Sequence, residues 1–300
     1  SAYELLDSLG DGGGPSALLV FASNPVVSAP NARHVAQRLA SLDLLVVSDL
    51  VLSETAALAD VVLPTTQWAE ESGTMTNPEG RVLLRRMAVD APPGVRSDLQ
   101  IWRGIADRLG RGGFFPTEPE EVFAELRRAS AGAIADYAGV TYARLAAGEE
   151  IFWPCPTEDH PGTPRMFLDR FATPDGRANF LAVRPRVAPE LPDAHHPYLL
   201  TTGRARAQYQ SGTQTRRSPT LAAAVPRPYV ELHPELARAH GIAEGDLVRL
   251  STPRGSTVLD ARLDPGIRPD TVFTPFQMVF HLPSVSCSSS LVMPSMPEPS

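Results

Sequence analysis

The chain has 300 residues, 43% of them hydrophobic, so it is long enough for about two domains and can bury a substantial core. Its 27 basic and 34 acidic residues give a formal net charge of −7. This balance argues against general binding to nucleic acids or anionic membranes, since both need a positive surface field. We find no apolar run near the roughly 20 residues that cross a bilayer, no signal-peptide pattern and only two distant cysteines. We therefore expect a cytoplasmic protein without a membrane segment.

The first segment, residues 1–110, alternates strand and helix patterns. The predicted elements are a strand at 17–21, a helix at 31–42, a strand at 43–49, a short helix at 54–59, a strand at 60–64 and a helix at 98–109. Such alternation predicts an α/β domain, a parallel sheet flanked by helices, with ligands at the carboxyl ends of the strands.

The middle segment, residues 111–193, has weaker patterns. A helix is predicted at 119–130, whereas the proline-rich stretches 152–156 and 160–164 must be extended or turning chain, because proline fixes φ and lacks an N–H donor. We interpret this segment as a largely irregular connector.

The third segment, residues 194–280, contains clustered strand patterns. Strands are predicted at 198–202, 229–232, 246–251, 256–263 and 271–274, with one short helix at 234–240. Many short strands without long helices predict a β-barrel. Residues 281–300 are rich in serine and proline, which predicts a disordered tail.

No self-contained catalytic site is visible in the sequence. It has no glycine-rich nucleotide-binding motif after the first strand, its seven histidines show no metal-ligand spacing, and Cys155 lies in a proline-flanked loop without cationic neighbours. We therefore predict no catalytic residue and no metal ligand in this chain. Any redox chemistry would come from a bound cofactor.

Several predicted loops suit a large anionic ligand. Asn24 follows the first strand and Ser48-Asp49 ends the second, which places them at the ligand-binding edge of the sheet. Thr202-Gly203-Arg204 ends the first barrel strand, where glycine would allow close approach of a ligand and arginine could bind phosphate. Residues 211–217 add hydroxyl groups, an amide and two more arginines.

These stretches resemble a known family. Phe21-Ala22-Ser23-Asn24-Pro25, Val46-Val47-Ser48-Asp49, 55–64 and 71–81 match, in order and spacing, the third domain of the bis-molybdopterin guanine dinucleotide oxidoreductases. The stretches 198–217 and 241–248 resemble the family's dinucleotide-binding barrel, a double-psi-like fold. The connector, with Trp153-Pro154-Cys155-Pro156, resembles the nitrate reductase and formate dehydrogenase branches. Assimilatory nitrate reductase is the subgroup with the strongest likeness.

The resemblance implies a molybdenum bis(molybdopterin guanine dinucleotide) cofactor and a [4Fe–4S] cluster. It assigns one set of dinucleotide contacts to the first segment and a second set to the barrel. The implied cofactor-binding residues are Asn24, Ser48, Asp49, Asp98, Thr202, Gly203, Arg204, Gln208, Tyr209, Ser211 and Gly212. In the family the run that corresponds to 204–208 is usually less basic and has a histidine near the position of Gln208.

The family's cluster motif and its molybdenum ligand do not occur in this sequence. We therefore expect the chain to be a fragment that is inactive alone, with the cluster bound upstream. The implied reaction is reduction of nitrate to nitrite, with a small anionic substrate and an electron-donor protein or reductase subunit as partners. Formate dehydrogenase, and a non-catalytic relative such as the large iron–sulfur subunit of NADH dehydrogenase, are the alternatives.

Overall fold

The computed structural model describes residues 2–10, 12–185, 188, 190–276 and 289–291. Its contacts divide the chain into two compact units. One comprises Ser1–Val62 with Pro185–Ser300, and the other Leu63–Arg184. The beginning of the chain and its last third therefore belong to the same unit.

The first part of the chain forms the predicted parallel sheet. Strands β1 (Ala17–Phe21) and β2 (Leu44–Asp49) pair in parallel, and β3 (Val61–Pro64) extends the sheet in the order β1-β2-β3. The helices are α1 (Ala2–Ser8), α2 (Pro25–Ser28) and α3 (Ala32–Ala40), with a 3₁₀ turn at Ala56–Leu58. The buried core of this part consists of Leu9, Val20, Val35, Leu39, Leu45, Val47 and Ala56. The predicted α/β architecture is confirmed, and each of its three strands lies within one residue of its predicted position.

The second unit contains an antiparallel sheet that the sequence patterns do not predict. Strands β4 (Gly73–Thr76), β5 (Arg81–Arg85) and β6 (Ile151–Phe152) pair in the order β4-β5-β6. The turn between β4 and β5 is closed by Asn77, whose Oδ1 accepts hydrogen bonds from the main-chain N–H of Glu79 at 3.0 Å and of Arg81 at 2.9 Å. An Asx turn of this kind is a turn signal in the sequence.

Helices complete the second unit. They are α4 (Asp98–Arg108), α5 (Pro119–Ser130) and α6 (Tyr142–Ala146), with a 3₁₀ turn at Gly112–Phe114. The core of the unit is formed by Val82, Phe123, Val140, Leu145, Ile151 and Cys155. The middle segment is thus more regular than predicted, because α6 and β6 pack their apolar side chains against β5 and α5.

The last third forms a curled mixed sheet. Its elements are β7 (Tyr198–Gly203), a 3₁₀ turn (Thr215–Arg217), α7 (Pro219–Ala224), β8 (Tyr229–Leu232), α8 (Pro234–Ala239), β9 (Leu247–Thr252), β10 (Gly255–Leu263), β11 (Thr271–Pro275) and β12 (Ser289–Leu291). The strand order is β12-β7-β11-β8-β10-β9, and the two edge strands approach each other, so the sheet curls towards closure. The predicted barrel class is confirmed.

Strand β12 lies in the stretch 281–300, for which the sequence predicts disorder. Its three residues pair antiparallel with β7, from Ser289 opposite Leu200 to Leu291 opposite Tyr198. Residues 281–288 and 292–300, the rest of the predicted tail, lie outside the described residues.

Two properties of the described residues bear on function. None of their helices has the length and apolar character to cross a membrane. The same residues contain no group of three or more His, Cys, Asp or Glu side chains that could hold a metal ion.

Candidate functional site

Asn24 is the centre of a buried hydrogen-bond network in the first unit. It lies between β1 and α2, and only 7% of its surface is exposed. Its Oδ1 accepts hydrogen bonds from the main-chain N–H of Thr55 at 3.1 Å and from the Thr55 hydroxyl at 2.7 Å. Its Nδ2 donates to Glu54 Oε2 at 2.7 Å and to Thr213 Oγ1 at 3.2 Å. One side chain therefore joins the turn after β1, the loop after β2 and a loop that follows β7.

Glu54 forms an ion pair that strengthens the same connection. Arg216 Nη2 lies 2.7 Å from Glu54 Oε1, and the two side chains are 26% and 25% exposed. Burial alone would raise the pKa of Glu54, but the hydrogen bonds from Arg216 and Asn24 outweigh it and hold the pKa below its ordinary value of 4.5. Glu54 is therefore charged at neutral pH.

Residues 208–217, the 208–217 loop, are folded by their own hydrogen bonds. Arg216 Nε donates to the Gly212 carbonyl at 3.1 Å, and the Ser211 and Thr213 hydroxyl groups lie 2.8 Å apart. Gly212 has φ +73°, a left-handed conformation that glycine adopts without strain. The main-chain N–H of Gly212 donates to Tyr209 O at 2.9 Å. The loop is a compact turn, in which Tyr209 itself is 68% exposed.

Gln208 carries a buried donor that the loop does not use. The residue is 6% exposed, and its Oε1 accepts a hydrogen bond from Thr215 Oγ1 at 2.6 Å. Its Nε2 is buried and has no hydrogen-bond partner among the described residues. A buried amide nitrogen left unpaired costs about 1–3 kcal/mol. The side chain is thus suited to a ligand that offers an acceptor, such as a phosphate or carbonyl oxygen.

Ser48 and Asp49 order the loop after β2. Ser48 is fully buried, and its carbonyl oxygen accepts a hydrogen bond from the N–H of Ala22 at 3.1 Å. The Asp49 carboxylate accepts hydrogen bonds from the N–H of Leu50 at 2.7 Å and from Ser53 Oγ at 2.6 Å. These bonds give Asp49 a local role in the protein besides the predicted role in cofactor binding.

The three predicted contact residues at the end of β7, Thr202, Gly203 and Arg204, differ from one another in burial and in what they contact. A Cβ atom on Gly203 would lie 2.7 Å from Cε2 of Phe273, so packing of that aromatic ring already requires glycine there. Thr202 is half-buried and Arg204 is exposed. Among the described residues no carboxylate forms an ion pair with Arg204, which leaves its guanidinium open to an anionic ligand.

Asp98 lies in the second unit. It is the first residue of α4 and accepts a hydrogen bond from Thr65 Oγ1 at 2.8 Å. It also lines an open groove of about 770 Å³ together with Glu71 and Arg85. The structure thus brings Asn24 and the 208–217 loop together within one unit, whereas the predicted convergence of Asp98 with them remains a prediction.

Of the residues that complete the network, Thr213 and Arg216 were expected only as part of a run suited to an anionic ligand, whereas the structure pairs Arg216 with Glu54. Glu54 falls in a predicted helix, and Thr213 and Arg216 are members of a polar run. Thr55 opens one matching stretch without a role of its own. The consecutive arginines Arg216 and Arg217 are nevertheless a signal in the sequence, because a partly buried arginine requires a carboxylate or carbonyl partner elsewhere in the protein.

Two family models match the chain. The model described as "Molybdopterin oxidoreductase" matches residues 3–108, and the one described as "Molydopterin dinucleotide binding domain" matches residues 198–293. The first range contains Asn24, Ser48, Asp49 and Asp98, and the second contains the 208–217 loop.

Curated relatives share long stretches of this sequence. An assimilatory nitrate reductase catalytic subunit from Bacillus subtilis is 45% identical over 92% of this chain and 39% of its own length. The alpha subunit of an F420-dependent formate dehydrogenase from Methanocaldococcus jannaschii is 41% identical over 91% of this chain and 40% of its own length. The chain therefore spans about two fifths of the length of these relatives.

A solved structure shares the fold. Acetylene hydratase from Pelobacter acetylenicus superposes with a TM-score of 0.69 over 90% of this chain and 38% of that protein, at 21% identity. That likeness concerns the fold, whereas the two domain matches and the relatives above assign the chain to a family: it belongs to the molybdopterin oxidoreductases.

Proposed function

We propose that this chain is the cofactor-holding part of a molybdenum oxidoreductase that reduces nitrate to nitrite by oxygen-atom transfer. The observation that carries the proposal is the unpaired Nε2 of Gln208, buried in a loop that hydrogen bonds fix against Asn24 and Glu54. Such a donor suits the oxygen-rich edge of a pterin dinucleotide. The 45% identity to a nitrate reductase supports the choice of substrate.

The residues of the first unit fit a dinucleotide. Gln208 supplies a buried donor, and Arg204 supplies an exposed cation for a diphosphate. The 208–217 loop adds hydroxyl groups from Ser211 and Thr213, which lie near that donor in sequence. We propose that the molybdenum bis(molybdopterin guanine dinucleotide) is held by Asn24, Ser48, Asp49, Asp98, Thr202, Gly203, Arg204, Gln208, Tyr209, Ser211 and Gly212, of which Asp98 alone belongs to the second unit.

The cofactor and the protein chain would have different roles in the reaction. The bound molybdenum cofactor would supply the oxygen-atom transfer, which is chemistry that amino-acid side chains do not provide. This chain would bind and orient the dinucleotide and exclude water from it. The [4Fe–4S] cluster, the electron-donor partner and a cytoplasmic location belong to the proposal for the whole protein.

Formate oxidation is the second candidate. Two F420-dependent formate dehydrogenase alpha subunits are 41% and 42% identical to this chain over 91% and 86% of its length. The difference from the nitrate reductase relative is small.

The experiment is a substrate assay on the full-length protein, purified without oxygen from a host that makes the cofactor. We expect nitrate-dependent oxidation of reduced methyl viologen, together with bound molybdenum and guanine. Protein from a host grown on tungstate is the matched control and should lose this activity. If the protein instead reduces benzyl viologen with formate and does not reduce nitrate, formate is its substrate and the nitrate proposal is wrong. Protein without molybdenum or guanine would point to a non-catalytic relative.

A further inference from the structure

We infer that Glu54 and Arg216 are positioning residues: their ion pair, the Glu54–Arg216 pair, sets the 208–217 loop for cofactor binding. This inference rests on the proposed function. The pair joins residues 162 positions apart in the sequence at 2.7 Å, with both side chains about three-quarters buried. Neither residue is among those that the family resemblance assigned to the cofactor.

Each oxygen of the Glu54 carboxylate has a separate task. Oε1 accepts from Arg216 Nη2 at 2.7 Å, and Oε2 accepts from Asn24 Nδ2 at 2.7 Å. Both partners are donors in this arrangement, since Asn24 Oδ1 is engaged by the two Thr55 groups. An amide at position 54 could accept from only one partner and would direct its own N–H groups at the other.

Arg216 transfers this anchoring to the loop. While Nη2 binds Glu54, Nε of the same planar guanidinium donates to the Gly212 carbonyl at 3.1 Å. A fork of this kind fixes two acceptors at once, which a lysine ammonium does with less geometric definition. The guanidinium therefore holds the turn that contains Ser211, Gly212 and Thr213.

The anchored turn also orients the unpaired donor. Thr215, next to Arg216 in sequence, donates from Oγ1 to Gln208 Oε1 at 2.6 Å and so fixes which way that amide points. The other amide atom, Nε2, is the one without a partner among the described residues. Loss of the Glu54–Arg216 pair would thus release the group that we propose binds the dinucleotide.

The test is a hydrogen-bond reversal. Glu54→Gln places two donors against each other, and Asn24→Asp places two carboxylates against each other. The double variant restores complementarity, because the amide introduced at position 54 can donate to the carboxylate introduced at position 24 and still accept from Arg216. The charge of the cluster in the double variant is the same as in the native protein. Glu125→Gln, at an exposed position of α5, is the matched control for a change of charge.

The readout is the guanine dinucleotide retained by the full-length protein after gel filtration, measured as GMP released by acid. We expect each single variant to lose bound cofactor about tenfold faster than native protein, since a hydrogen bond to a charged group is lost or reversed. The double variant should lose cofactor more slowly than either single variant but faster than native, because it restores the hydrogen bond between positions 24 and 54 while Arg216 keeps only a neutral acceptor in place of its ion pair. Two independent losses of stability would instead add. Should a single variant fail to fold, Glu54→Asp keeps the charge on a shorter side chain and should give an intermediate loss.

Three results separate the claims. Native protein that carries guanine, with single variants that retain it as well as native, would overturn the positioning role alone. A double variant as defective as the worse single one would overturn it too. Native protein without guanine would refute the proposed function itself.

Discussion

Replacing Gln208 by methionine should have opposite effects on the empty and the loaded protein. In cofactor-free protein the substitution removes a buried amide nitrogen without a described partner, a penalty of about 1–3 kcal/mol. It also removes the hydrogen bond from Thr215, worth about 0.5–1.5 kcal/mol. The free energy of unfolding should therefore change by between about −0.5 and +2.5 kcal/mol, so on balance it should rise. In loaded protein the donor has an acceptor, and its loss should cost about 1.5–3 kcal/mol if that acceptor is charged.

The assay has two parts. Urea unfolding of protein from a host that lacks the cofactor gives the stability change, and equilibrium retention of guanine dinucleotide gives the binding change. A loss of about 1.5–3 kcal/mol corresponds to roughly 10- to 150-fold weaker retention. Thr215→Val removes the bond that orients the same amide and keeps the donor, so its loss of retention should be smaller than that of Gln208→Met. Strong destabilisation of the empty protein by Gln208→Met, or unchanged retention in the loaded protein, would refute the reasoning.

The remaining predictions concern binding, packing and pH. Asp98→Ala should weaken cofactor retention by about 1.5–3 kcal/mol, and Arg204→Ala should weaken it by removing a contact to the diphosphate. Both effects are measured as the molybdenum and guanine content of the full-length variants. Unchanged content in both variants would contradict the assignment of these residues to cofactor binding. Gly139→Ala should lower stability by about 1–3 kcal/mol or more, because its Cβ would lie 2.0 Å from a main-chain oxygen, whereas Gly113→Ala meets nothing within 4 Å and should be neutral in thermal unfolding. The pKa of Glu54 is lower in the folded protein than its ordinary value of 4.5. The contribution of Glu54 to the free energy of unfolding should therefore be complete above pH 4.5 and should decrease as the pH falls below that value. In Glu54→Ala the free energy of unfolding, measured by urea titration, should decrease less steeply at acid pH than in native protein. The same pH dependence in both proteins would contradict the prediction.

The fold was predictable where a single element carries its own signal. Strands β1 and β2 are short apolar runs between turn residues, and α4 has apolar residues at helical spacing with a capping box formed by Ser97 and Gln100. These features depend on neighbours in sequence. The β4–β5–β6 sheet was missed because β6 is two residues long and pairs with β5 across about 70 residues of chain. Pairing at that distance leaves little pattern in the strand itself.

The site was predictable by position but not by contact. Asn24 and the 208–217 loop could be identified from the sequence, because each follows a predicted strand and offers polar groups. The pattern could not show that Asn24 engages its whole amide with Glu54, Thr55 and Thr213, since these partners are set by tertiary packing. The requirement for Gly203 likewise comes from the Phe273 ring, a contact between neighbouring strands. Sequence patterns locate such loops, while burial decides which of their groups remain available.

The most direct test of the proposed cofactor is native mass spectrometry of the full-length protein from two hosts, one that makes molybdopterin guanine dinucleotide and one that does not. We predict that protein from the first host carries the added mass of molybdenum and guanine dinucleotide and loses it on Gln208→Met. Equal masses from the two hosts would contradict the assignment of this chain to cofactor binding.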